Sequence, residues 1–178
     1  MAVQRIIDPQ AIPVAGTDAH LPPLAAERLT LEHLRRRFAD PDEWVPEISG
    51  DGRIDGDRAS AAAAVLVPLV QRDHGLHVLL TRRAEHLRDH PGQVSFPGGR
   101  VEPGDADAAD TALRESHEEI GLPRGRVEVL GRLPAYTTVT QYVITPVVAL
   151  VTPPFELVLD ATEVADAFEV PLVFLMDP

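Results

Sequence analysis

The 178-residue chain contains neither cysteine nor lysine, and each absence removes a class of chemistry. Without cysteine there is no disulfide framework, no thiolate zinc site and no cysteine nucleophile. Without lysine, Schiff-base catalysis and a P-loop lysine are excluded, and apart from histidine every cationic side chain is arginine. No apolar run approaches the roughly 18 to 20 residues that cross a bilayer. The opening Met1, Ala2, Val3, Gln4 and Arg5 lack the apolar core of a signal peptide. A soluble, cytoplasmic protein without a membrane partner is expected. A basic stripe is also missing. At a net charge of −12 the chain offers little to displace counterions from a phosphate backbone, which argues against nucleic acid as a partner. An anionic small molecule would be held only where a metal ion or a few arginines reverse the local field.

What is present suits one compact domain with a sizeable core, since 44% of the residues are hydrophobic. Residues 1–27 are rich in proline and alanine and are expected to form an extended arm, leaving 28–178 as the domain. Thr30 is placed to cap a short helix with Leu31, Leu34 and Phe38 near one face, and Arg35, Arg36 and Arg37 mostly elsewhere. Prolines and glycines make Asp40 to Arg58 a loop. Ala61 to Val70 is read as a strand that ends near Pro68. The turn at Arg72 to Gly75 joins it to a partner, Leu76 to Leu80, as a hairpin. Val127 to Leu130 and Val143 to Val151 are further strands, the second so apolar that it belongs in the middle of a sheet. Ala161 to Phe168 has helical spacing.

The most informative stretch runs from Phe96, Pro97, Gly98 and Gly99 to Arg114, Glu115, Ser116, His117, Glu118, Glu119, Ile120, Gly121 and Leu122. Asp105 or Asp107 caps a helix that Gly121 ends in the left-handed conformation. Ala109, Ala112, Leu113, Ser116 and Ile120 form its small or apolar face, with Thr111, Glu115, Glu118 and Glu119 towards a cleft. Glu115, Glu118 and Glu119 stand at i, i+3 and i+4, so three like charges share one face. Such a cluster asks for a counter-charge, and hard carboxylate oxygens suit Mg²⁺ or Mn²⁺. Asp105, Asp107 and Asp110 lack the glycine and terminal glutamate of a calcium loop, and helix capping accounts for them.

From Gly99 to Leu122 the chain resembles the Nudix box, Gly-x5-Glu-x7-Arg-Glu-U-x-Glu-Glu-x-Gly-U, where U is aliphatic. The gap from Gly99 to Arg114 is one residue longer than this pattern. The first glutamate falls on Ala106, with Asp105 and Asp107 beside it, and the first U position is Ser116. The departure bears on a salt bridge to Arg114 and not on the metal cluster. Leu79 to Gly99 is similar to the motif of coenzyme A pyrophosphatases, Leu-Leu-Thr-x-Arg-Ser/Ala-x3-Arg-x3-Gly-x3-Phe-Pro-Gly-Gly, a subgroup that also has the longer gap. Together the two motifs cover about a quarter of the chain.

The resemblance implies an α/β fold, the Nudix-type α/β/α sandwich with a mixed β-sheet. It also implies a metal-dependent hydrolase that splits the pyrophosphate of coenzyme A into 3′,5′-ADP and 4′-phosphopantetheine. Other readings are a Nudix hydrolase for ADP-ribose or NADH, and a non-catalytic nucleotide-sensing module; a homodimer is left open. For metal, Glu115 and Glu119 are the first candidates because i and i+4 converge on one ion. Glu118 binds the same or a second ion, and the Gly99 carbonyl is a further ligand. Arg114 points about a third of a turn away and orients a glutamate. Glu115 and Glu163 are both candidates for the base. Arg83 and Arg88 occupy fixed positions of the coenzyme A motif, to pair with phosphates or with the chain's own acids. Gly98 and Gly99 approach the substrate through backbone, and Phe96 either stacks on adenine or packs in the core.

Overall fold

The computed structural model describes residues 13–17, 19–41, 44–51 and 60–177. The expected arm therefore falls partly outside the described residues, as does much of the Asp40 to Arg58 loop. Residues 13–17 and 19–25 form neither helix nor strand and are exposed. Thr30 caps α1 (Leu31–Ala39), its hydroxyl accepting the His33 N–H. Strands β1 (Ala61–Arg72) and β2 (Gly75–Arg83) form the expected hairpin. Short β3 (Val94–Ser95) and β4 (Gly98–Arg100) precede α2 (Ala108–Ile120). Then come β5 (Val127–Arg132), β6 (Tyr136–Thr137), β7 (Tyr142–Val151), β8 (Val164–Pro171) and the single turn α3 (Leu172–Leu175).

The strands make one mixed sheet. β7 runs parallel to β1 over ten paired residues and antiparallel to β5, so the most apolar strand is interior, as expected. Its side chains alternate between two apolar clusters, as the period of two requires. Val147, Ala149 and Val151 pack with Leu66, Val70 and the α2 residues Ala112 and Ile120. Val148 and Leu150 pack with Leu69, Val78, Leu172 and the α1 residues Leu34 and Phe38. Helices thus cover both faces and the architecture is an α/β/α sandwich. Among the described residues no helix is long and apolar enough to cross a membrane.

Two expectations of secondary structure change. β1 does not end near Pro68 but continues to Arg72. Leu66 donates its N–H to the Pro97 carbonyl, so Pro68, two residues on, turns its missing N–H to that same edge. There β1 has left β4, whose last partner is Val65, and has not yet met β2, whose first partner is Leu69. No ladder bond is lost, and the proline is tolerated. The segment read as helical from Ala161 to Phe168 is instead a turn followed by β8, antiparallel to β2 from Val164 to Pro171. Alanines and acids gave it helical propensity, but the open edge of β2 supplies hydrogen bonds and the buried side of Val164 supplies packing, and tertiary pairing outweighs propensity.

The sheet is split where it matters. β1 and β2 pair only beside their hairpin; further along, β1 pairs with β4 and β2 with β3 and β8. The Phe96–Pro97–Gly98–Gly99 link crosses this gap. Gly98 has φ +154°, and a Cβ there would lie 2.4 Å from the Ala64 carbonyl oxygen, so only glycine lets the link enter between the strands.

Leu66, fully buried between the sheet and α2, gives a direct test of this core. Leu66→Ala should lower the unfolding free energy by about 2 to 5 kcal/mol, measured as a reduced urea midpoint with an unchanged denaturant slope.

Candidate active site

α2 begins with the Asp107 carboxylate accepting the Asp110 N–H and ends at Gly121 with φ +68°, as its sequence requires. Its apolar side packs on the sheet, which leaves Glu115 and Glu119 against β4 and Glu118 exposed beside them. Glu119 is the deepest, at 6% exposure, and its Oε2 accepts the Gly98 N–H at 3.0 Å. Burial pushes its pKa up to about 7; the Gly98 N–H opposes this, and the charges of Glu163 and Glu115 add to it. Burial likewise raises Glu115, against the Arg114 guanidinium and with the charges of Glu118 and Glu163. Gly99 lies so close that a Cβ on it would stand 2.5 Å from Glu115 Oε1.

Glu163 comes from a part of the chain remote in sequence. After β7 the chain runs along the C-terminal end of α2, where Val158 and Asp160 donate N–H bonds to the Ile120 and Glu119 carbonyls. A turn from Asp160 then delivers Glu163, whose own carbonyl accepts the Ala84 N–H. Both candidate bases, Glu115 and Glu163, are therefore in electrostatic reach of Glu119 and of each other.

Arg114 is the hub of the acidic face. Its side chain is 18% exposed and binds Asp105 through Nε at 2.9 Å and Nη2 at 3.0 Å, Glu115 at 3.1 Å, Glu118 at 3.0 Å and the Arg100 carbonyl at 3.1 Å. Counting back from Arg114 pointed to Ala106 as the departure from the box. The residue that fills the role is Asp105, which the count from Gly99 reaches directly, so the extra residue lies after it. The Asp105 side chain is 4% exposed, and the Arg114 guanidinium, with help from the Glu102 N–H, holds its carboxyl well below the usual range. Thr111, read as facing a cleft, is instead buried and donates to Asp105 Oδ2 at 2.8 Å. Its small hydroxyl serves the same carboxylate.

On the other face of β4 lies a cleft of about 490 Å³. Ala63, Val65 and Ile144 form an apolar floor, and Arg83, Arg100 and Tyr142 stand around it. Arg83 follows a bulge between β2 and β8, and its Nε is buried without a hydrogen-bond partner among the described residues. Its charge also acts on Glu119, in the sense that favours the carboxylate. Arg88 is exposed and not part of the lining. Phe96 packs with the cluster of Leu69, Val78 and Leu150 and not on the cleft. Arg100 and Tyr142 were not singled out by sequence: Arg100 directly follows the glycine turn, which was a usable signal, whereas Tyr142 reads only as the start of a strand.

As arranged, no three acidic or histidine side chains among the described residues converge in metal-binding geometry. Glu115 and Glu118 are turned to Arg114, and Glu119 to Gly98. The donor set nonetheless fits a divalent cation. Two desolvated carboxylates with raised proton affinity, a third acid beside them and a glycine backbone without a Cβ make a cradle of hard oxygens that a cation would stabilise.

The NUDIX domain family profile matches residues 60–172. The protein named Uncharacterized Nudix hydrolase NudL from Enterobacter sp. (strain 638) is 50% identical over 111 residues, 62% of this chain and 57% of that protein. The protein of the same name from Salmonella heidelberg (strain SL476) is 43% identical over 146 residues, 82% of this chain and 71% of that protein. The match thus spans little more than half the length of the first of these relatives. Among solved structures, the Nudix hydrolase RenU from M. smegmatis aligns with a TM-score of 0.54 at 24% identity, over 63% of this chain and 71% of that one. The NUDIX domain of NrtR from Shewanella oneidensis, complexed with ADP ribose, aligns at 0.51 and 19% identity, over 70% and 81%. These two likenesses concern the fold alone.

The Asp105 and Arg114 pair predicts a pH dependence. Because the folded-state pKa of Asp105 is depressed, the pair stabilises the fold above the ordinary carboxylate pKa and loses that contribution as pH falls from about 4 downward. Asp105→Asn should therefore lower the thermal midpoint at pH 7, and the gap from wild type should narrow on acidification below about pH 4; a gap independent of pH would contradict it.

Proposed function

The chain belongs to the NUDIX domain family, and on that premise we propose that it hydrolyses the pyrophosphate bond of coenzyme A to 3′,5′-ADP and 4′-phosphopantetheine. One observation carries the choice of substrate class: Arg83, a fixed position of the coenzyme A motif, stands in the cleft with a buried Nε that has no hydrogen-bond partner among the described residues, and its charge reaches Glu119. A cationic donor set between a nucleotide-sized cleft and a carboxylate cradle suits a diphosphate lying across the Gly98–Gly99 link.

Glu115, Glu119, Glu118 and the Gly99 carbonyl are the residues that would hold Mg²⁺ or Mn²⁺. When bound, such an ion neutralises diphosphate charge and lowers the pKa of water. The chain supplies the rest. Arg83 binds a diphosphate oxygen and orients the substrate. Arg114, itself fixed by Asp105, holds Glu115 and Glu118 on one face of the helix, from which they would turn to an ion. Glu163, whose charge acts on both Glu115 and Glu119, would accept a proton from an attacking water; Glu115 is the other candidate for that step. Glu119 ties the helix to the link that carries the substrate. Residues 28–178 would form the hydrolase domain, with 1–27 as an arm outside the chemistry.

Hydrolysis of coenzyme A in ¹⁸O-water with Mg²⁺ or Mn²⁺, with ADP-ribose and NADH as parallel substrates, tests the reading by mass-resolved products. Intact coenzyme A alongside rapid turnover of ADP-ribose would overturn it. Glu119→Gln should cut turnover by about 100-fold or more while keeping the thermal midpoint, because the amide oxygen can still accept the Gly98 N–H. Chelation with EDTA should abolish activity in wild type, and full activity in either case would sink the metal assignment.

A further inference from the structure

We propose that Arg100, braced by Tyr142, recognises the 3′-phosphate of the substrate's nucleotide half and so sets a preference for 3′-phosphorylated adenosine nucleotides. The inference deepens the reading above and rests on it for the identity of the substrate, but it is carried by residues outside the carboxylate cradle.

The first ground is charge. On this acidic chain Arg35, Arg72, Arg124 and Arg132 each hold a carboxylate. The two arginines of the cleft, Arg83 and Arg100, have no ion pair among the described residues. Asp89 also lines the cleft, but two guanidinium groups outnumber that one carboxylate, and the surplus positive charge suits an anion.

The second is geometry. The Arg100 guanidinium lies over the Tyr142 ring, 5.1 Å from its centroid, and Nη2 donates to the Tyr142 hydroxyl. The ring and a neutral oxygen hold the planar fork without cancelling its charge, and most of its five N–H donors remain for a ligand. Such a fork is matched to the oxygens of a phosphate.

The third is placement. On β4, Gly98 and Arg100 pair with Val65 and Ala63 of β1, and Tyr142 on β7 pairs with Ala61. β7 lies on the far side of β1 from β2, so the Arg100 guanidinium, held at Tyr142, is drawn away from β2, whereas Arg83 belongs to β2 and is felt by Glu119. The diphosphate is served at the Arg83 end. The other charged group of the proposed substrate is the 3′-phosphate, reached at the Arg100 end with adenosine over Ala63, Val65 and Ile144. A phosphate monoester carries about −1.5 to −2 charges where its counterpart has a neutral hydroxyl, so a lone guanidinium there discriminates between them.

The test is calorimetric titration of the full chain, without metal and at fixed ionic strength, with 3′,5′-ADP and with 5′-AMP. Wild type should favour 3′,5′-ADP by about tenfold or more. Arg100→Ala, an exposed position whose backbone carbonyl still serves Arg114, should bring that ratio to within about twofold. Tyr142→Phe, which keeps the ring and loses the hydroxyl, should give an intermediate ratio with an unchanged thermal midpoint. Equal affinities in wild type, or an Arg100→Ala loss of the same factor for both ligands, would overturn the proposal. If coenzyme A is not hydrolysed but the Arg100-dependent preference is present, the substrate reading fails and this inference survives. If coenzyme A is hydrolysed and the preference is absent, the reverse holds.

Discussion

The hydrogen bond from the Gly98 N–H to the buried Glu119 carboxylate ties the carboxylate helix to the glycine link that crosses the split sheet. The sheet opens between β1 and β2, and the link that fills the gap needs a partner for its backbone on the helix side. Glu119 provides it. In return the N–H supplies one of the few polar contacts available to a carboxylate that packing has removed from water, and a buried acid without such a contact would be strongly disfavoured. Because the contact is incomplete compensation, Glu119 keeps a raised proton affinity. The position of the helix, the course of the link and the readiness of the site for a cation follow from the same compromise.

Around this contact the chain sorts its charges by task. On one side of β4, Arg114 gathers Asp105, Glu115 and Glu118 into a network in which each acid has a donor. On the other, Arg83 and Arg100 form no ion pair among the described residues, although Asp89 lines the same cleft. A chain with a net charge of −12 thereby presents a locally cationic cleft to an anion beside an acidic cradle for a cation. Surface pairs such as Arg35 with Glu128, which link α1 to β5, are screened by solvent and add little stability of their own. Their effect is to keep these arginines occupied.

Much of this was legible in the residues. The hairpin, the interior strand at Val143 to Val151, the caps of α1 and α2 and the carboxylate face of α2 all rest on local signals that the tertiary structure reinforces. Misreadings arose where non-local pairing decides. The alanines and acids before Phe168 favour helix until the free edge of β2 is present to pair them. Pro68 ends a strand in isolation but not where its neighbour changes. Thr111 looked like a cleft residue by helical phase, yet Asp105, six positions earlier, turns back to meet it. Asp105 does not stand at the position that the spacing before Arg114 predicts, because spacing measures chain length and not contact. Tyr142 carries no local mark, since its role depends on an arginine 42 positions away.

The helical layers do not reach the whole sheet. α1 and α3 cover the end around Leu69, Val78 and Leu150, and Ala63, Val65 and Ile144, on the same face, belong to neither packed cluster. Side chains on that uncovered end can change size or polarity without opening a void behind α2 or disturbing the carboxylates beneath β4. Under the proposed function, selection acting there would retune which nucleotide is accepted while the carboxylate site and the core stay as they are, so specificity in such a scaffold can drift faster than reaction type.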